Sequence, residues 1–122
     1  MAKKNKGKTN RAKGFQWERD LAQIFRDLGY PRCKTTRQTS RLLDSCKVDL
    51  DFIPYNIQAK NVIHINYKEV LDEVQQALTK EYPERLSLPT VVLHKRKTTK
   101  LAIMEMDTFL ALVSKLKQLE KE

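Results

Sequence analysis

A chain of 122 residues, 40% hydrophobic and 32% charged, is sized for one domain and buries roughly two thirds of its unfolded surface, so it needs no disulfide or metal staple to fold. Its longest apolar runs, such as Thr90-Val91-Val92-Leu93, fall far short of the ~20 residues of a membrane span, and no apolar segment follows the basic N-terminus, so neither a membrane protein nor a secreted one is expected. The net charge of +9, from 24 Lys and Arg against 15 Asp and Glu, directs attention to polyanionic partners.

The chain opens with Lys3, Lys4, Lys6, Lys8, Arg11 and Lys13, with no acid among its first 14 residues. Residues 1–9 are read as a disordered basic arm and residues 10–122 as one domain. Such an arm suits nucleic acid, because each phosphate it neutralises releases condensed counterions. A helix is expected from Asn10 or Ala12 to Leu28. Phe15, Leu21, Ile24, Phe25 and Leu28 share its apolar face, with Trp17 and Ala22 beside it. Gly29 stops it and Pro31 blocks continuation. Residues 32–37 favour a first strand weakly, through Thr35 and Thr36, and residues 39–45 read as a loop. Cys33 and Cys46 lack neighbouring His or Cys and are expected to be reduced thiols of a cytoplasmic protein, or of the host cytoplasm for a virus-borne one.

Residues 47–53 form a predicted strand with Val48, Leu50 and Phe52 on one face and Asp49, Asp51 and Ile53 on the other. Pro54-Tyr55-Asn56 is a turn. Residues 57–62 return as an antiparallel partner, with Gln58 and Lys60 on one face. A helix over 67–82 carries the stripe Val70, Leu71, Val74 and Leu78, and Pro83 ends it. Residues 89–95 and 100–106 form two further strands around a basic turn that includes Lys95, Arg96 and Lys97. Asp107 caps a last helix reaching towards Lys121. Its Phe109, Leu110, Leu112, Val113, Leu116 and Leu119 exceed the needs of one sheet contact and hint at a second subunit. The order is α-β-β-β-α-β-β-α, a mixed sheet flanked by helices.

The central pair of strands carries the chemistry. Alternation puts Asp49 with Asp51, and Gln58 with Lys60, on common faces, and the turn brings the two pairs together. A carboxylate and an amide oxygen can hold a hard divalent cation. That ion neutralises a scissile phosphate and acidifies a bound water. An ammonium can then orient the water or stabilise developing charge. Asp51 is a further candidate ligand. Polar residues on a solvent face are the competing interpretation. His64 follows the pair of strands, could approach the site and is read as structural or solvent-facing, and Asp44 is a weaker substitute for Asp49.

Asp49…Gln58-Ala59-Lys60 resembles the motif of the PD-(D/E)xK nucleases. Lys13-Gly14-Phe15-Gln16-Trp17-Glu18-Arg19-Asp20-Leu21, closing in Leu28-Gly29-Tyr30, is similar to the opening helix of archaeal Holliday-junction resolvases, where a helix-borne Glu joins the metal site; Glu18 takes that place. Val48-Asp49-Leu50, Leu88-Pro89-Thr90-Val91-Val92 and residues 103–106 resemble that family's strands, so the likeness covers residues 13–106. It implies a restriction-endonuclease-like fold, a magnesium or manganese ion on Asp49, Gln58 and Glu18, Lys60 acting on the attacking water, DNA cleavage and a homodimer. Arg37, Ser40 and Arg41 stand for the Ser and Arg that such resolvases carry ahead of the Asp. Gln58 departs from the usual acid. Mrr-type endonucleases resemble this Gln-x-Lys variant, but Gln removes one negative charge. Two other readings therefore stand beside a nuclease of branched DNA: an inactive DNA- or RNA-binding module of the same fold, and a restriction-like enzyme with little room for a base-reading domain.

Overall fold

A computed structural model describes the backbone of residues 2–121 and the side chains of residues 10–121. The fold is mixed α/β. Among the described residues it comprises five α-helices, one 3₁₀ segment and two small sheets.

Helix α1 (Ala2–Asp27) starts upstream of the expected Asn10 or Ala12. The side chains of the basic arm, Lys3, Lys4, Lys6 and Lys8 included, lie outside the described residues. The helix ends as Gly29 requires. Gly29 takes φ +113°, its N–H donates to the Arg26 carbonyl at 3.2 Å, and the Tyr30 N–H donates to the Phe25 carbonyl at 3.0 Å. These are the two bonds of a Schellman stop. The buried face of α1 is rotated from the expected one. Trp17, Leu21 and Ala22 enter the core, whereas Phe15, Ile24 and Leu28 are exposed. Trp17 sets that rotation: its indole N–H donates to the Leu93 carbonyl at 2.9 Å, which gives the buried ring the polar partner it needs.

Strand β1 (Lys34–Thr35) is shorter than predicted and leads into two short helices, α2 (Thr36–Thr39) and α3 (Arg41–Ser45). The expected loop over 39–45 is thus largely helical. Ser40 is the reason: its hydroxyl accepts from the Leu43 N–H at 3.2 Å and caps α3. Strand β2 (Leu50–Asp51) pairs antiparallel with β1, Thr35 opposite Leu50. Phe52 then adopts φ +65°, which breaks the alternation, exposing Phe52 and turning Ile53 into the core.

Strand β3 (Asn56–Lys60) does not form the predicted antiparallel ladder with the preceding segment. It pairs in parallel with β4 (Thr90–Arg96), Gln58 opposite Val92 and Lys60 opposite His94. Helix α4 (Tyr67–Glu81) makes the crossover that a parallel pair requires. Asn66 caps it by accepting from the Glu69 N–H at 3.1 Å. Its stripe of Val70, Leu71, Val74 and Leu78 is buried as expected. Val74 and Leu78 pack with Leu43, Cys46 and Val48; Val70 and Leu71 pack with Val92. After a 3₁₀ segment (Pro83–Ser87), β4 turns back into antiparallel β5 (Thr99–Ile103). Cys33 and Cys46 are buried, unpaired thiols in separate clusters.

Helix α5 (Met106–Glu120) has Glu105 at its cap position, without a side-chain bond; Asp107 sits inside the first turn. There its charge complements the helix dipole. No residue of α5 is buried. Among the described residues no helix is long and apolar enough to cross a membrane.

Candidate carboxylate centre

Asp49 lies between the two sheets and is pinned through its backbone on both sides. Its N–H donates to the Ile57 carbonyl at 2.8 Å, and its carbonyl accepts from the Thr36 N–H at 2.9 Å. Thr36 reinforces this by donating its hydroxyl to the Val48 carbonyl at 2.7 Å. The side chain is held as firmly: Oδ2 accepts from the Ala59 N–H at 2.7 Å and from Gln58 Nε2 at 3.0 Å. Asp49 and Gln58 are thus joined directly, as the sequence spacing predicts, without a regular ladder between their strands.

Glu18 is buried on the same face of α1 as Trp17 and Leu21. Its Oε1 accepts from Arg37 Nε at 3.2 Å. The Arg37 guanidinium also lies 3.6 Å over the Phe15 ring, so one cation is clamped between two residues a helical turn apart. Arg37 therefore belongs to the centre as Glu18's partner. Ser40 has its hydroxyl engaged in capping α3, and Arg41 is exposed.

Asp49 is shifted far from an ordinary carboxylate. Burial pushes its pKa up to about 7, the Ala59 N–H and the Lys60 ammonium work against the shift, and the negative charges of Glu18 and Asp44 add to it. Burial likewise raises Glu18, with Arg37 opposing and Asp44 adding. Two desolvated carboxylates, one of which destabilises the other's charge, make a centre that favours a proton or a cation.

Asp44 is exposed on α3 and acts on the centre only through its charge, the last of the influences on Asp49. Asp51 goes the other way. Its Oδ2 accepts from Thr39 Oγ1 at 2.7 Å and its Oδ1 from the Phe52 N–H at 2.8 Å, and it is not among the charges acting on Asp49. Asp51, expected to share Asp49's site, instead has both carboxylate oxygens engaged by Thr39 and the Phe52 N–H. Lys60 is half-buried and forms no ion pair among the described residues. Its strand neighbour His94 is buried. Tyr67 Oη lies 3.0 Å from His94 Nδ1, and His94 Nε2 lies 2.6 Å from the Val62 carbonyl. A carbonyl only accepts, so Nε2 carries the proton there and Nδ1 accepts from the tyrosine. This clasp ties down the segment that follows Lys60. His64 is exposed, as expected.

Among the described residues no group of three or more His, Cys, Asp and Glu is placed to hold a metal ion by itself. The donors gathered here are Asp49 and the Gln58 amide in direct contact, with the Glu18 carboxylate near enough for its charge to act on Asp49. That set fits magnesium, which commonly takes one or two protein carboxylates and completes its shell with waters and substrate phosphate. No family model, no curated protein and no solved structure matches the chain.

Proposed function

We propose that the protein is a metal-dependent DNA endonuclease with a restriction-endonuclease-like core, acting on branched DNA such as Holliday junctions. The observation that carries this reading is the buried Asp49 carboxylate, held by the Ala59 N–H between Gln58 and Lys60 and raised in pKa by burial and by Glu18. A structural aspartate gains nothing from such an environment; a site that receives a cation does. Asp49 and Glu18 would hold magnesium or manganese, with the Gln58 carbonyl as a neutral third donor. Bound there, the ion would neutralise the scissile phosphate and acidify a water. Lys60, without a carboxylate partner among the described residues, is suited to orient the attacking water or to balance charge developing on the phosphate. Arg37 keeps Glu18 charged and fixed until the site is loaded. Lys13, Lys95, Arg96 and Lys97 are the proposed phosphate contacts. A homodimer is proposed through the exposed apolar side of α5, since a two-fold pair presents two sites to two strands.

The test is cleavage of junction, duplex and single-stranded DNA with magnesium and with manganese. Wild type is expected to cut at least one of them and Asp49→Ala none. Equal behaviour of the two proteins removes the catalytic assignment.

A second reading, a nucleic-acid-binding module without catalysis, is favoured by one observation. Gln58 turns its amide nitrogen to Asp49, so the centre satisfies its own hydrogen bonds in the absence of an ion. Calorimetry with manganese separates the two. An enzyme takes up the ion in a manner lost with Asp49→Ala; a module of this second kind binds nucleic acid and takes up none.

A further inference from the structure

Beside the centre runs an open groove of about 620 Å³, between α1, the segment after Lys60, and the β4–β5 turn. Lys13, Lys95, Arg96 and Lys97 line it, with no acidic residue among the lining groups. Between these cations sit two aliphatic side chains, Val62 and Ile63, which are 44% and 52% exposed. They do not belong to a mobile tip. His94 holds the Val62 carbonyl at 2.6 Å, and Asn61 Nδ2 donates to the Lys13 carbonyl at 3.4 Å. Two fixed, exposed, branched side chains in a basic groove are costly in water and are not used by the hydrolytic chemistry proposed above.

Two of the groove's walls are built by segments that also carry residues of the centre. Val62 follows Lys60 by two residues, and Lys13 precedes Glu18 by five along α1, roughly 7.5 Å of helix rise. A strand whose phosphate reached Lys60 would extend directly between the two basic walls. Paired DNA hides its base faces in the stack and offers Val62 and Ile63 little apolar surface beyond thymine methyl groups. An unpaired nucleotide offers one base face and one phosphate, matching an aliphatic floor with cationic sides. The volume lies within the ~300–1,000 Å³ that holds a small ligand. Aliphatic side chains that insert against unstacked bases are an established way of gripping distorted DNA.

We infer that this groove takes an unpaired nucleotide of DNA, its base laid on Val62 and Ile63 and its phosphates on Lys13, Lys95, Arg96 and Lys97, so that the substrate is DNA whose strand leaves the duplex beside the cut. The inference deepens the nuclease reading and rests on it for the position of the cut, though not for the binding itself. It also explains a preference for branch points without any reading of base edges.

The experiment is binding without divalent ions, so that cleavage plays no part. Forked DNA with a short unpaired arm carrying 2-aminopurine is compared with a fully paired duplex of equal length. Wild type is expected to bind the fork about fivefold more tightly, matching the low end of what a base stacked on an aromatic side chain contributes, and to change the emission of the arm's 2-aminopurine. Val62→Ser with Ile63→Ser, both at exposed positions, should abolish the preference and the emission change while leaving duplex affinity and melting temperature in place. Ile63→Phe, with a larger flat face, should strengthen the preference. Lys95→Ala with Arg96→Ala should weaken fork and duplex alike and flatten the salt dependence. Equal binding of fork and duplex by wild type, or a preference that survives the double serine variant, overturns the inference. If the fork is preferred yet nothing is cut with magnesium or manganese, the nuclease reading falls and the groove stands. If fork and duplex are cut and bound equally, the reverse holds.

Discussion

The carboxylate centre and helix α5 break the rule of burial in opposite directions. At the centre, Glu18 and Gln58 are buried and Asp49 largely so, with Asp49 bonded to the Ala59 N–H and to Gln58, and Glu18 bonded to Arg37. On α5, Met106, Phe109, Leu110, Val113, Leu116 and Leu119 stand in solvent. Scattered exposed apolar residues need no explanation, but a whole helical face does. Helix α4 gives the control. It has the same length as α5, 15 residues, and its stripe is fully used within the chain. The difference teaches that apolar periodicity predicts that a helix has a partner, not that the partner lies in the same molecule. Polar burial at the centre makes a parallel point. Its groups are satisfied for folding, yet their charges are left in tension.

The sharpest way to break this comparison is at Lys60. If it serves the reaction, Lys60→Ala lowers turnover by about 10²–10³-fold, as loss of one transition-state donor does, with melting unchanged. A loss of folding with no specific loss of turnover would make Lys60 an ordinary structural residue. Next is the tension itself. Asp49 titrates near 7 in the folded protein against an ordinary 3.8. Between those values the native state keeps a proton that the unfolded chain has released, so the centre's contribution to stability falls as pH rises from about 4 and is gone above about 7. Asp49→Asn removes that titration. It should stabilise the ion-free protein at pH 8 by on the order of 3 kcal/mol and make no comparable difference near pH 4. Denaturant melts at both pH values check this; a gain that is independent of pH would sink it. Manganese should raise the melting temperature of wild type and not of the Asn variant.

The two helices can then be set against each other. Leu78→Ala on α4 should cost about 3 kcal/mol, as deletions in a filled core do. Leu116→Ala on α5 should cost within about 0.5 kcal/mol at concentrations where the protein is monomeric. At higher concentration the same α5 change, or Phe109→Ser, should weaken self-association in sedimentation. An α5 substitution as damaging as Leu78→Ala in the monomer would mean that the helix is packed after all. A small gain is expected at the β4–β5 turn, where Lys97 holds φ +56°. Lys97→Gly should stabilise the hairpin by up to about 1 kcal/mol, by removing the cost of a side chain in the left-handed region.

Helix α4 and strand β4 were legible because each repeats its pattern over enough residues to fix a period. The pairing of Asp49 with Gln58 and the closeness of Lys60 were legible from alternation and a short turn. What the sequence hid depended on partners distant in the chain. The mate of β3 is β4, more than thirty residues on, so the local turn suggested the wrong ladder. The buried face of α1 is chosen by Trp17's bond to Leu93, which no periodicity contains. Arg37 reaches Glu18 from a helix too short to show a repeat, and Asp51 is drawn off by Thr39 and the Phe52 N–H.

Trp17 is the only tryptophan of the chain, and its position has an optical consequence. The ring is 4% exposed and precedes Glu18. The ammonium groups of Lys95 and Lys100 lie 5.6 and 5.9 Å from its centroid. A polyanion that draws those lysines away alters the field on one known fluorophore, and unfolding exposes the same ring to water. The protein thus carries its own emission probe for occupancy and for melting, readable without any label.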